Sequence, residues 1–235
     1  MSDQRAQILG SIRRALKRGP LAAAAAAELE AKLKSPRRNL VPARATQFNH
    51  RGQVELFVKM AEAVQTSVAR VASAKDVPGA VADYLAQLNL PQRIVAAPDP
   101  QLDDIPWAER PLLAVTRGVA GDSDPAGITA CFAAIAETGT LMLLSGPESP
   151  TRNNFLPDTH IVVLRQGQVT AAYEDGFTRL RAARANRDGE GAFAMPRNVN
   201  FITGPSRTAD IEQRIELGAH GPRRLHIVLI EDGPD

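Results

Sequence analysis

Six short apolar runs limit what this chain can fold into: residues 93–97, 112–116, 140–144, 160–164, 199–203 and 225–230. Within each run the apolar residues are continuous rather than alternating with polar ones. A strand that is apolar on both sides must be covered on both faces, which is the condition of strands in a largely parallel sheet. Segments of helical period separate the runs. Residues 54–72 offer Leu56, Val58, Met60, Ala63, Val64 and Val68 for packing, and 76–88 offers Val77, Val81, Tyr84, Leu85 and Leu88. Residues 124–137, opened by Pro125, and 175–185 complete the helical set. The alternation predicts an α/β fold, doubly wound.

The N-terminal fifth is different. Residues 1–50 hold ten Lys/Arg against three acids, a local charge of +7, so residues 51–235 carry −5 within an overall +2. Helices are predicted over 2–17 and 21–34, the second Ala-rich, and Pro36 and Pro42 mark a linker or extended arm. The expected division is a basic helical extension over 1–50 and a compact α/β domain over 51–235. The basic arm carries no aromatic residue before Phe48 for stacking on a single strand, so nucleic acid is not expected as a partner. The Ala22–Ala27 run lacks the apolar core of a signal peptide, and no run reaches the length of a membrane span. One cysteine, Cys131, excludes an internal disulfide and a self-contained iron–sulfur cluster. These features predict a cytoplasmic protein with no cofactor or metal of its own, its four histidines being scattered.

Three stretches could carry chemistry. In "AETGTLMLLSGP" (136–147) the predicted helix ends at Glu137, whose carboxylate then faces the negative end of the helix dipole. The functional reading is a general acid/base or nucleophile, with Thr138 and Thr140 as ligand contacts and Gly139 taking the turn. The alternative is a helix C-cap whose Glu points into water. In "SPTRNNFLPDTHIVVL" (149–164), Asp158 precedes His160 at a strand start, where an imidazole could titrate near neutral pH or simply bond to backbone. In "FITGPSRTADIE" (201–212) a strand ends, Gly204-Pro205 turns the chain, and Ser206 or Thr208 can cap a short helix. Exposed N–H groups there would suit an anion, with Arg207 as counter-charge; otherwise Arg207 and Asp210 form a surface pair. His220 follows between Gly218 and Gly221. Neither a dinucleotide fingerprint nor a P-loop is present. Glu137, His160, Ser206 and His220 are expected to meet in one pocket at a sheet edge, which requires one of the strands 140–144, 160–164 or 199–203 to run antiparallel.

Together "AETGTLMLLSGP", "FLPDTHIVV", "GPSRTADIE" and "GAHGPRRLHIVLIED" resemble the lactate utilisation protein C family, also called the YkgG-like or LUD-domain family, and "DQRAQILGSIRRAL" is similar to that family's N-terminal helix. The resemblance implies a fold like the NagB/RpiA/CoA-transferase group, a mainly parallel sheet with helices on both faces. It implies a role in oxidising L-lactate to pyruvate alongside two partner proteins, at least one carrying iron–sulfur clusters. The family's recurring residues fall on Glu137, Thr138, Gly139, Thr140, His160, Ser206, Arg207, Asp210 and His220. The expected function is an accessory subunit that binds a small carboxylate or acyl ligand at the carboxyl ends of the strands. The rival readings are an acyl- or CoA-transferase-like enzyme with Glu137 as nucleophile, and a ligand-sensing interaction protein.

Overall fold

A computed structural model describes residues 2–17, 19–37, 40–185, 195–211 and 214–232. The chain forms two units, 1–40 and 41–235. The first holds α1 (Ser2–Ala15) and α2 (Ala23–Lys34). Helix α2 is Ala-rich, buries none of its residues, and carries the i,i+4 pairs Glu28–Lys32 and Glu30–Lys34 at 2.7 and 3.1 Å. Such pairs contribute about 0.2–0.5 kcal/mol each, so propensity more than packing forms this helix.

The second unit runs α3 (Ala43–Thr46), α4 (His50–Ala63), β1 (Ser67–Val71), α5 (Val77–Gln87), β2 (Arg93–Ala96), β3 (Ala114–Arg117), β4 (Ala126–Ala130), β5 (Ala133–Ile135), β6 (Thr140–Leu144), α6 (Thr151–Phe155), β7 (Thr159–Arg165), β8 (Val169–Thr170), α7 (Tyr173–Ala185), β9 (Val199–Ile202), β10 (Arg207–Ile211), β11 (Arg214–Leu217) and β12 (Arg224–Ile230). Six strands form one wholly parallel sheet in the order β1-β12-β7-β4-β2-β3. Its two faces are covered separately. Ile161, Val163, Val228 and Ile230 pack under Val77, Val81 and Leu85 of α5. Val162, Leu164, Ile227 and Leu229 pack under Val54, Phe57, Val58 and Ala61 of α4 and under Leu141 and Leu143. That division is the two-residue period of a strand buried on both sides.

Leu141 and Leu143 belong to a second sheet, ordered β8-β5-β6-β9, in which β6 runs antiparallel to both β5 and β9. Strands β10 and β11 make a separate antiparallel pair. The α/β fold with a mainly parallel sheet is therefore the one expected, but the runs 140–144 and 199–203 leave the main sheet while 160–164 stays in it. The antiparallel relation expected among them is that of β6 with β9.

Three expected helices are corrected. The segment 54–72 breaks at Ala63: Gln65 takes a left-handed φ of +68°, and the β-branched residues that follow enter β1. Its start is earlier too, where the Asn49 side chain accepts the Gly52 N–H at 2.9 Å. The segment 124–137 forms β4 and β5 instead of a helix. Every residue of both is buried, and a Cβ at Gly127 would come within 2.6 Å of the Asn153 carbonyl oxygen, a close approach only glycine allows. The segment 206–212 is no helix start; Arg207–Ile211 is strand β10. No helix among the described residues is long and apolar enough to cross a membrane.

A candidate ligand cavity at the amino edge

Antiparallel pairing of β6 with β9 sets Leu141 opposite Ile202, so the turn before β6 and the segment after β9 come to the same end of the small sheet. The turn is Glu137–Gly139; the segment is Thr203–Ser206. Gly139 has φ +65°, and a Cβ there would lie 2.3 Å from the Ala61 nitrogen. The turn is thus pressed against the last turn of α4. Four hydroxyls meet beside it. Thr140 Oγ1 lies 2.7 Å from Thr138 Oγ1, 2.7 Å from Thr203 Oγ1 and 3.1 Å from the Tyr173 hydroxyl, and Thr138 Oγ1 donates to that hydroxyl at 3.2 Å.

Glu137 does not end a helix of its own. It follows β5, is 5% exposed, and its carboxylate accepts the first N–H of α7, that of Tyr173, at 3.3 Å. The dipole argument made for it from the sequence therefore lapses.

His160, one residue into β7, pairs in register with Leu225 and Gly127 and shares the face of Val162. It is fully buried. Its Nε2 lies 2.8 Å from Thr129 Oγ1, and its Nδ1 has no partner. Burial pushes its pKa down to about 3, so the ring is neutral at pH 7 and does not titrate near neutrality. It lies on the wall of a cavity of about 270 Å³, with Asn154, Thr203, Ser206, Arg207 and His220 as the other polar lining and Phe155, Phe201, Pro205, Pro222 and Leu225 as apolar lining. Asn154 is fully buried, and neither its Oδ1 nor its Nδ2 has a partner.

The segment 218–222 supplies His220, Gly221 and Pro222 to one side of this open cavity, and Ser206 ties it down. The Ser206 N–H donates to the Pro222 carbonyl at 2.9 Å, its carbonyl accepts the Gly218 N–H at 3.0 Å, and its Oγ accepts the His220 N–H at 3.3 Å. Arg207 donates to the Val64 carbonyl, the cap residue after α4; the pair expected with Asp210 rests on a side chain outside the described residues.

Of the four residues expected to converge, His160, Ser206 and His220 line one cavity; Glu137 does not, although Thr140 and Thr203 link its turn to that wall. The cavity opens at the amino ends of β7 and β12, not at the carboxyl ends anticipated from the general rule for α/β sheets. A larger cavity of about 560 Å³ does lie at the carboxyl ends of β2 and β4, lined in part by Asp99, Gln101, Ser145, Glu148 and Arg184. The amino-edge cavity is the stronger candidate because unpartnered buried polar groups line it, and such groups cost free energy unless something satisfies them. Asn154 was visible in the sequence only as one of two adjacent asparagines. Its neighbour Asn153 is satisfied on both sides, accepting from Ala120 N at 3.0 Å and donating to Gly118 O at 2.9 Å. No group of three or more His, Cys, Asp or Glu suited to a metal occurs among the described residues.

A second buried histidine, His226, has its pKa pushed down to about 4 by burial, against a weaker opposing effect of its bond with Ser67. Depressed histidines make stability fall with acid. Above the unfolded-state pKa of about 6.5 both states are neutral; below it the unfolded chain takes protons that the native chain refuses. From about pH 6.5 down to about 4, each histidine should remove about 1.4 kcal/mol of stability per pH unit. Urea titrations at pH 7 and pH 5 should show this loss, and His160→Gln should reduce it; equal pH dependence in the variant would contradict the assignment.

The LUD domain family matches residues 54–230. An uncharacterised protein of Neisseria meningitidis is 37% identical over 105 residues, 45% of this chain and 42% of its own length. Lactate utilization protein C of an Exiguobacterium species is 36% identical over 106 residues, 45% of this chain and 44% of its length. The chain thus aligns with less than half of each. Lactate utilization protein C of Deinococcus radiodurans is 34% identical over 169 residues, 67% of this chain and 70% of that protein. The crystal structure of a DUF162 family protein, also from Deinococcus radiodurans, superposes with a TM-score of 0.57 at 26% identity, covering 78% of this chain and 99% of that one.

Proposed function

The chain belongs to the LUD-domain family, the lactate utilisation protein C group, and from that premise we propose that it serves in L-lactate utilisation as the small-carboxylate-binding subunit of a complex that oxidises L-lactate to pyruvate. The observation that carries this reading is the pair Asn154 and His160 on the amino-edge cavity, buried, uncharged and short of partners. Neutral donors and acceptors suit the hydroxyl or keto oxygen of a small acid. They do not suit its carboxylate, which is costly to bury without a cation. The carboxylate belongs at Arg207 and Ser206, which line the same cavity as the buried pair. Electron transfer falls to cytoplasmic partner proteins bearing iron–sulfur clusters, since one cysteine cannot supply such a cluster here.

The test is twofold. Calorimetric titration of the purified chain should detect lactate or pyruvate, and Ser206→Ala or Arg207→Gln should weaken that binding. Lactate-dependent dye reduction should appear only when the partners are added. Reduction by the chain alone, or no binding of either acid, would overturn the reading. Glu137 lends no support to a transferase with a carboxylate nucleophile, because its buried carboxylate already accepts the Tyr173 N–H and lies off the cavity wall. Glu137→Gln should therefore leave the affinity for lactate or pyruvate unchanged.

A further inference from the structure

The edge of the parallel sheet at β1 raises a separate question. Among the described residues β1 pairs only with β12, so its other side presents unpaired main-chain groups. The Val71 carbonyl accepts the Glu231 N–H at 2.9 Å, which points Val71 toward β12. Alternation along the strand then turns the N–H and C=O groups of Val68 and Arg70 outward. Edges are usually blunted by charge. Here the guard covers only the carboxyl half, where Arg70 pairs with Glu55 at 2.6 Å and Glu231 at 2.5 Å; Ser67, Val68 and Ala69 carry no charge.

That unguarded half borders a groove of about 800 Å³. Ser67, Val68 and Ala69 all line it. Successive strand residues point to opposite faces, so three in a row can share a groove only if it runs along the strand's edge. The facing wall is α5 with the residue that caps it: Ala80, Tyr84 and Leu88 follow one another at i, i+4 and i+8 along one side. Tyr84 is held in place by stacking on His226, ring centroids 3.8 Å apart. Arg223 and Arg224 line the groove with Asp83, so among the described lining residues two cations face one anion.

We propose that this groove docks an extended, acidic segment of a partner protein, which adds as a strand to the open half of β1. An edge strand beside a helix supplies main-chain hydrogen bonds from one wall and side-chain pockets from the other, the recurring geometry of strand addition. The Val68 N–H and C=O pair with the incoming backbone. Alternate side chains of the segment pack on Tyr84 and Leu88, and its carboxylates face Arg223 and Arg224. The groove borders the amino-edge cavity, with Pro205 and Leu225 lining both.

The probe is a synthetic peptide alternating valine and glutamate, with an alternating valine–lysine peptide as control, each added to the full chain. The glutamate peptide should bind, slow hydrogen exchange at the Val68 and Arg70 amides, and leave the β3 edge untouched. Val68→Pro, which removes an outward N–H that no strand among the described residues pairs with, should weaken binding by about tenfold, and Arg223→Glu with Arg224→Glu by at least as much. Circular dichroism and the unfolding midpoint establish that each variant is folded. Equal binding of the lysine peptide, or exchange protection elsewhere than β1, would overturn the proposal. So would protection of Val68 and Arg70 in the free chain, because a second copy or this chain's own residues would then occupy the edge.

Discussion

Gly139→Ala is expected to destabilise the chain by about 2–5 kcal/mol, enough to leave much of it unfolded or insoluble. Two costs combine. A left-handed residue with a Cβ costs about 1–2 kcal/mol, and φ at Gly139 is +65°. The new methyl would also lie 2.3 Å from the Ala61 nitrogen and 2.5 Å from the Met60 carbonyl carbon, atoms of helical backbone that cannot turn aside as a side chain can. Moving the turn away from α4 would pull Thr138 and Thr140 from Tyr173 and Thr203, so any folded fraction should bind ligand poorly. Urea unfolding against the unaltered chain measures this. A loss below about 1 kcal/mol would mean that the turn can back away from α4 freely, and that its close packing is incidental.

The adjacent asparagines should respond in opposite directions. Asn153→Ala removes an amide that bridges Ala120 N and Gly118 O, leaving two main-chain groups short of partners, and should cost about 1–3 kcal/mol. Asn154→Leu replaces an amide with no partner by an apolar side chain of similar size, and should raise the stability of the ligand-free chain by about 1–3 kcal/mol. It should also abolish binding of lactate or pyruvate at the amino-edge cavity. Stability and binding moving in opposite directions is the signature of a group kept for its ligand. If Asn154→Leu destabilises the chain while binding persists, Asn154 is a structural residue satisfied through ordered water, and the cavity loses its main support.

Much of this protein can be read directly from its residues. The runs at 93–97, 140–144, 160–164 and 225–230 are strands because continuous Ile, Val and Leu between turn residues leave little else for a covered sheet to use. The motif around His160, Ser206 and His220 marks three segments that do line one cavity. Two kinds of information were missing. Ala-rich segments fit either period, so 124–137 read as a helix although it forms β4 and β5. The motif 204–212 reads equally as a capped helix or as a turn into a strand, since Ser, Thr and Asp favour both places.

What the sequence determined by itself is the identity and order of most elements, the α/β class, and which loops carry polar groups. What only the tertiary structure decided is which strands share a sheet and which side of each strand a residue faces. An apolar run records that it will be buried, but not by what. Strand β6 joins β9 rather than β7 because the facing layers interlock that way, and Glu137 is consequently held on Tyr173 rather than on the cavity. Asn154 shows the same limit most sharply. Nothing local separates it from Asn153, and only the seating of α6 beside the segment after β3, at Gly118 and Ala120, satisfies one amide and leaves the other bare. Hydrogen-bond satisfaction depends on atoms brought together from distant parts of the chain, so it exists only once the chain has folded.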